Sequence, residues 1–166
     1  MELSCTAPSI ELSLISDSAA HAAAKIKQFR LGFGLASGKV QVSADELGAL
    51  LSDVYGGNPI SLNWAAQGTY SRSVGQMVVL AAMCAERALP YGGTIEIYET
   101  VGKWCVIAKS ERVKTDQALW DLLLGNDPAP DFAPADVQFA LLPRVAASAG
   151  ISCSYKSHPA EVHLIF

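Results

Sequence analysis

The chain has 166 residues, 51% of them hydrophobic and 17% charged, with 12 basic side chains against 16 acidic ones. That length supports a core of its own, and the net charge of −4 leaves no basic footprint for DNA, RNA or anionic lipid. The nine-residue apolar run 77–85 is too short to cross a bilayer. A chain so apolar for its charge calls for a partner or subunit to cover it.

The first fifteen residues contain Glu2 and Glu11 but no Lys or Arg, so no secretory leader is expected. Cys5, Cys84, Cys105 and Cys153 form no Cys-x-x-Cys pair and read as structural thiols of a cytoplasmic protein.

In chain order, the first element is a helix from about Ser9 to Gly34. Leu12, Ile15, Ala19, Ala22, Ile26, Phe29 and Phe33 are spaced alternately three and four apart, a heptad seam narrower than the stripe of a globular surface helix. The seam points to a helical bundle, formed as a homodimer, in preference to a single helix packed on the domain core. Gly34, Ser37 and Gly38 then mark a hinge within residues 34–42. Ser43 with Glu46 makes a capping box before Leu47, Leu50 and Leu51, and that helix stops at Gly56-Gly57-Asn58-Pro59. Ile60, Leu62 and Trp64 alternate with Ser61 and Asn63 as a half-buried strand.

Ser71 or Ser73 caps a central helix running to about Leu89, closed by Pro90-Tyr91-Gly92-Gly93. Strands over 94–99 and 103–109 form a hairpin around Gly102. A helix over 115–124 follows, closed by Gly125-Asn126, then a loop with Pro128, Pro130 and Pro134. A helix over 135–149 and a second hairpin (151–157, 161–166) complete the chain. Strands paired in hairpins with helices between them predict an α+β fold, a mixed sheet with helices on one face. The expected division is a helical dimerisation segment over 1–36 and a body over 37–166.

The stretch from Gln76 to Gly93 resembles the nucleotide-binding helix of the sensor-kinase ATPase (Bergerat, or GHKL) domain. Gln76, Pro90, Gly92 and Gly93 match the pattern of that family. Its two asparagine positions hold Leu80 and Cys84 instead, and its lysine position holds Arg87. Where the family continues Asp-x-Gly-x-Gly, this chain reads Lys109-Ser110-Glu111-Arg112-Val113. Magnesium and a triphosphate need oxygen ligands and glycine-rich backbone donors, so ATP binding is expected to be lost at Leu80, Cys84 and Lys109.

A long helix before a degenerate domain of this kind is similar to the ChpT-like histidine phosphotransferases of alphaproteobacteria. The supporting stretches are Ser18-Ala19-Ala20, Gln28 to Gly34, Leu62-Asn63-Trp64, Arg87 to Gly93, Ala118-Leu119-Trp120 and Val137 to Pro143, in family order. The resemblance implies a helical hairpin that dimerises into a four-helix bundle. It implies phosphoryl relay between a histidine and receiver-domain aspartates of hybrid kinases and response regulators, with no cofactor of its own. Magnesium is supplied by the receiver, and Gln28 and Arg30 are expected as partner contacts. The long helix corresponds to the second helix of the hairpin, with 1–4 as the last turn of the first helix and 5–9 as the connection. The acceptor histidine is accordingly expected upstream of Met1.

Of the three histidines, His21 falls at heptad position c, on the solvent side of the seam, with no adjacent carboxylate; it is a weak fallback acceptor. His158 and His163 lack metal-ligand companions and read as structural. The reading is therefore a histidine phosphotransferase that is neither ATPase nor autokinase. The alternative is a non-catalytic dimeric module that binds receivers and carries no phosphate.

Overall fold

Ser43 caps the first helix of the body. In the computed structural model, which describes residues 10–35, 40–125 and 133–166, its hydroxyl accepts from the Glu46 amide at 3.1 Å, and the Glu46 carboxylate accepts from the Ser43 amide at 2.9 Å. This reciprocal cap satisfies two donors that the first helical turn would otherwise leave open. The readings placed on residues 1–9, on Ser37 and Gly38, and on Asn126, Pro128 and Pro130 lie outside the described residues.

The elements are α1 (Ile10–Gly32), β1 (Gln41–Ser43), α2 (Ala44–Tyr55), β2 (Ile60–Trp64), β3 (Thr69–Ser71), α3 (Arg72–Arg87), β4 (Gly93–Thr100), β5 (Lys103–Lys109), α4 (Gln117–Asp121), α5 (Val137–Ser148), β6 (Ser154–Ser157) and β7 (Glu161–Ile165). The expected helix over 115–124 is shorter than its sequence pattern. Asp116 caps it, and after Asp121 the chain tightens into a 3-10 turn over Leu122–Leu124 that Gly125 closes at φ 77°. β1 and β3 were not anticipated. They pair antiparallel over three residues each, too short for any alternation to show.

The main sheet has the order β2-β4-β5-β7-β6. β2 and β4 are parallel, joined through α3, while β4–β5, β5–β7 and β6–β7 are antiparallel. Ile95, Ile97, Val106, Ala108, Val162 and Leu164 line one face and are at most 1% exposed. Ser61, Asn63, Glu96 and Lys109 project from the other, where Lys109 Nζ donates to Glu96 at 2.7 Å. The expected mixed sheet with helices on one face is present.

Ser71, rather than Ser73, caps α3. Its residues 75–82, with Cys84 and Ala85, are buried, so α3 is the central helix under the sheet. The turn after it packs against β2's entrance: the Gly93 amide donates to Pro59 O at 3.1 Å, and a Cβ on Gly92 (φ 92°) would sit 2.5 Å from that same oxygen. Only glycine fits there. Trp120 stacks edge-on against Phe139 at 5.3 Å and ties α4 to α5. No helix among the described residues is long and apolar enough to cross a membrane.

Candidate functional site

α1 offers three different sides. Towards the body, Ala24, Gln28 and Gly32 recur every four residues and are buried, with His21, Lys25 and Leu31 half-buried beside them. Along a second side runs the expected seam. Leu12, Ile15, Ile26, Phe29 and Phe33 are 58%, 65%, 59%, 47% and 39% exposed, and Ala19 and Ala22 are exposed between them. The seam is thus a stripe that the described parts of this chain do not cover. The third side carries the exposed bases Lys27 and Arg30.

The body side is fastened to α3 by polar contacts. Gln76 Nε2, in a side chain 5% exposed, donates to Gly32 O at 2.9 Å and Gly34 O at 3.1 Å, carbonyls that the end of α1 leaves open. Arg72 Nη2 reaches Arg30 O at 3.4 Å, and Lys25 Nζ lies 3.6 Å from Glu86 Oε1. Glu86 also accepts from the Tyr55 hydroxyl at 3.2 Å. Burial, and then the Glu86 charge, push the Tyr55 phenol well above its ordinary value. The Gln28 amide lies close enough to oppose part of that shift, yet neither of its polar atoms makes an aligned hydrogen bond among the described residues. Gln28 is fully buried, so of the two expected partner contacts only Arg30 presents its side chain to solvent.

Further along α3, Leu80 and Cys84 have no exposed surface. The Cys84 thiol is pushed well above its ordinary value by burial, with the Cys153 and Asp136 charges adding to the shift. Arg87 Nε stands 2.7 Å from Asp136 Oδ1 at the start of α5, an ion pair without hydrogen-bond alignment. Cys84, Cys105 and Cys153 are free thiols. Two grooves flank α1. One of about 830 Å³ lies between α1 and the ends of α3 and α5, with His21, Lys25, Phe29, Phe33, Arg87 and Val137 in its walls. The other, about 540 Å³, lies between α1, β1 and α2.

His21 differs from its expected setting: it turns away from the seam but into the first groove, half-buried, rather than out to solvent. Among the described residues no carboxylate is hydrogen-bonded to it. His158 and His163 stand together near β7, ring centres 6.0 Å apart, with His163 Nε2 2.9 Å from Glu161. Among the described residues no group of three or more His, Cys, Asp or Glu side chains is placed to hold a metal ion.

A family model described as the histidine phosphotransferase C-terminal domain matches residues 44–161. The chain belongs to that family. No curated protein matches its sequence significantly. Among solved structures, a bacterial phosphotransferase superposes with a TM-score of 0.79 at 17% identity, over 93% of this chain and 77% of that one. The nucleotide-free catalytic domain of histidine kinase ThkA gives 0.55 at 14% identity, over 76% of this chain and 92% of that one. The histidine kinase domain of a blue-light activated kinase from Erythrobacter litoralis gives 0.53 at 10% identity, over 94% and 82%. At these identities the likeness is one of fold.

At the positions where the sequence departs from the nucleotide-helix pattern, the structure shows closed or paired side chains. Leu80 and Cys84 offer no oxygen to a metal and are sealed in the core. Arg87 is already paired with Asp136, and Lys109 with Glu96 on the far face of the sheet. Gln76 was legible as a family-pattern residue, but its contact with α1, 44 residues away in sequence, carries no sequence signal.

Proposed function

We propose that this chain is a cytoplasmic phosphorelay histidine phosphotransferase that works as a homodimer and exchanges phosphoryl groups with receiver domains. One observation carries the reading: a kinase-like body is fixed to a long helix whose apolar stripe (Ile15, Ile26, Phe29, Phe33) faces outward. Helices laid along that stripe complete a bundle, and the acceptor histidine belongs on such a helix.

On this reading the phosphoryl donor is another protein rather than bound nucleotide, which the closed positions at Leu80 and Cys84 support. In the transfer, a lone pair on the acceptor imidazole forms the N–P bond. The P–O bond to the receiver aspartate breaks, and its electron pair stays on the departing carboxylate. A magnesium ion held by the receiver's own acidic pocket would supply the positive charge facing the phosphoryl oxygens. The reverse step hands the group to a second receiver. This chain contributes the docking scaffold, and His21 is a wall of the groove rather than the acceptor.

A second reading is a receiver-binding module that carries no phosphate; among the described residues His21 has no carboxylate bonded to orient it. Receiver domains from the same genome, charged with radiolabelled acetyl phosphate, separate the two. Acid-labile label appearing on the natural full-length protein supports relay; stable receiver complexes without label support the module. Incubation with labelled ATP and magnesium alone is expected to leave the protein unlabelled.

A further inference from the structure

The groove between α1 and the ends of α3 and α5, about 830 Å³, has the size of a small-molecule site. The ions in its walls are already matched. Lys25 lies 3.6 Å from Glu86 and Arg87 lies 2.7 Å from Asp136, which leaves His21 as the one further titratable side chain that lines it. No Lys, Arg or Glu of the groove is without an opposite charge, so nothing there selects an anion.

Two neutral amides, by contrast, are not matched. Gln28 of α1 and Gln138 of α5 line the groove and are 0% and 2% exposed. Gln28 Oε1, Gln28 Nε2 and Gln138 Oε1 have no aligned hydrogen-bond partner among the described residues. The Tyr55 hydroxyl near Gln28 donates elsewhere, towards Ala82 O at 3.3 Å and Glu86 at 3.2 Å. Nearly every buried polar atom of a folded protein has a partner, and here three without one border a single groove. The last torsion of a glutamine is broad, so both amide ends turn towards a guest at little cost. Phe29 and Phe33, 47% and 39% exposed with ring centres 6.0 Å apart, give the same groove a flat apolar side.

We propose that this groove binds an uncharged, flat heterocycle that carries at least two N–H groups and a carbonyl. Its N–H groups donate to the two glutamine oxygens, its carbonyl accepts from Gln28 Nε2, and its ring lies against Phe29 and Phe33. That set is the complement of the open atoms, two acceptors and one donor. Charged substituents add nothing, because the groove's ions are paired within the chain. The site is separate from the histidine chemistry and does not depend on the relay reading.

The test is titration of the isotope-labelled full chain with an aminoquinazolinone, followed by NMR of the glutamine side-chain amides. The parent quinazoline, the same ring without the polar edge, is the control. The expected result is a saturable shift of the Gln28 and Gln138 signals with the aminoquinazolinone, and binding about tenfold weaker for quinazoline. Gln28→Met and Gln138→Met should each weaken the aminoquinazolinone about tenfold. Each keeps the volume and removes an amide whose open atoms have no partner, so melting midpoints should equal or exceed that of the wild type. No saturable shift, equal binding of the two ring compounds, or Met variants that bind as the wild type does would each overturn the proposal. So would a Met variant that melts lower, since its amide would then be bonded within the free protein.

Discussion

Gln76 of α3 donates its side-chain amide to the carbonyl of Gly32 at the end of α1, at 2.9 Å and almost wholly out of water. A second bond to Gly34 O at 3.1 Å makes the amide a cap for the helix. A residue that resembles part of a nucleotide helix thus acts as the clamp between the long helix and the body. Gln76→Leu keeps the volume and removes both bonds, leaving buried carbonyls open. The expected cost is about 1–3 kcal/mol in urea unfolding. Amide exchange should accelerate at residues 30–35 more than in α5, and uniform exchange would count against the clamp.

Gly48 packs directly under an indole: a Cβ there would lie 2.8 Å from Trp64 Cδ1. Trp64 is in turn held beside Trp104, ring centres 6.0 Å apart. Gly48→Ala is expected to destabilise by about 1–3 kcal/mol and to alter tryptophan fluorescence in the native state, because a packed ring has little room to retreat. An unchanged spectrum and midpoint would contradict this packing.

Burial sets an alkaline limit to stability. The Cys153 thiol is pushed from an ordinary 9.0 to about 11, and burial raises Cys84 as well. The folded state keeps these thiols protonated where the unfolded chain releases them. The Cys153 contribution is therefore complete below pH 9 and is lost as pH rises through about 11. Urea midpoints should fall across that window, and less steeply in Cys153→Ala. A flat or rising profile would contradict the burial of these groups.

The apolar stripe makes a separate prediction about assembly. Ile26 is 59% exposed, so Ile26→Asp should leave the melting curve of this chain within about 0.5 kcal/mol of wild type. Under the proposed homodimer the same change should weaken self-association, read by sedimentation, about thirtyfold, the loss of one central apolar contact. A dimer insensitive to Ile26→Asp would move the interface away from this side of α1.

Much of this architecture was legible in the sequence. The three-four spacing from Leu12 to Phe33 located the exposed stripe, and Ser43 with Glu46 located the cap of α2. The alternation from Ile60 to Trp64 and the Pro90-Tyr91-Gly92-Gly93 stop framed α3. The short strands β1 and β3 were not visible, since three residues around Val42 and Tyr70 carry no period. Gln28, expected at the surface as a partner contact, is instead fully buried by tertiary packing that the sequence does not signal. The groove between α1 and α2 needed tertiary structure too, because Arg72 lies far in sequence from Lys27 and Arg30.

Relay itself is tested most directly by transfer from charged receivers. Radiolabelled receiver domains from the same genome, mixed with the natural full-length protein, should lose label to it within minutes, as an acid-labile, alkali-stable adduct. The His21→Ala variant should accept label at the wild-type rate. If every receiver keeps its label while still binding the protein, the chain is a docking module and the relay reading is wrong.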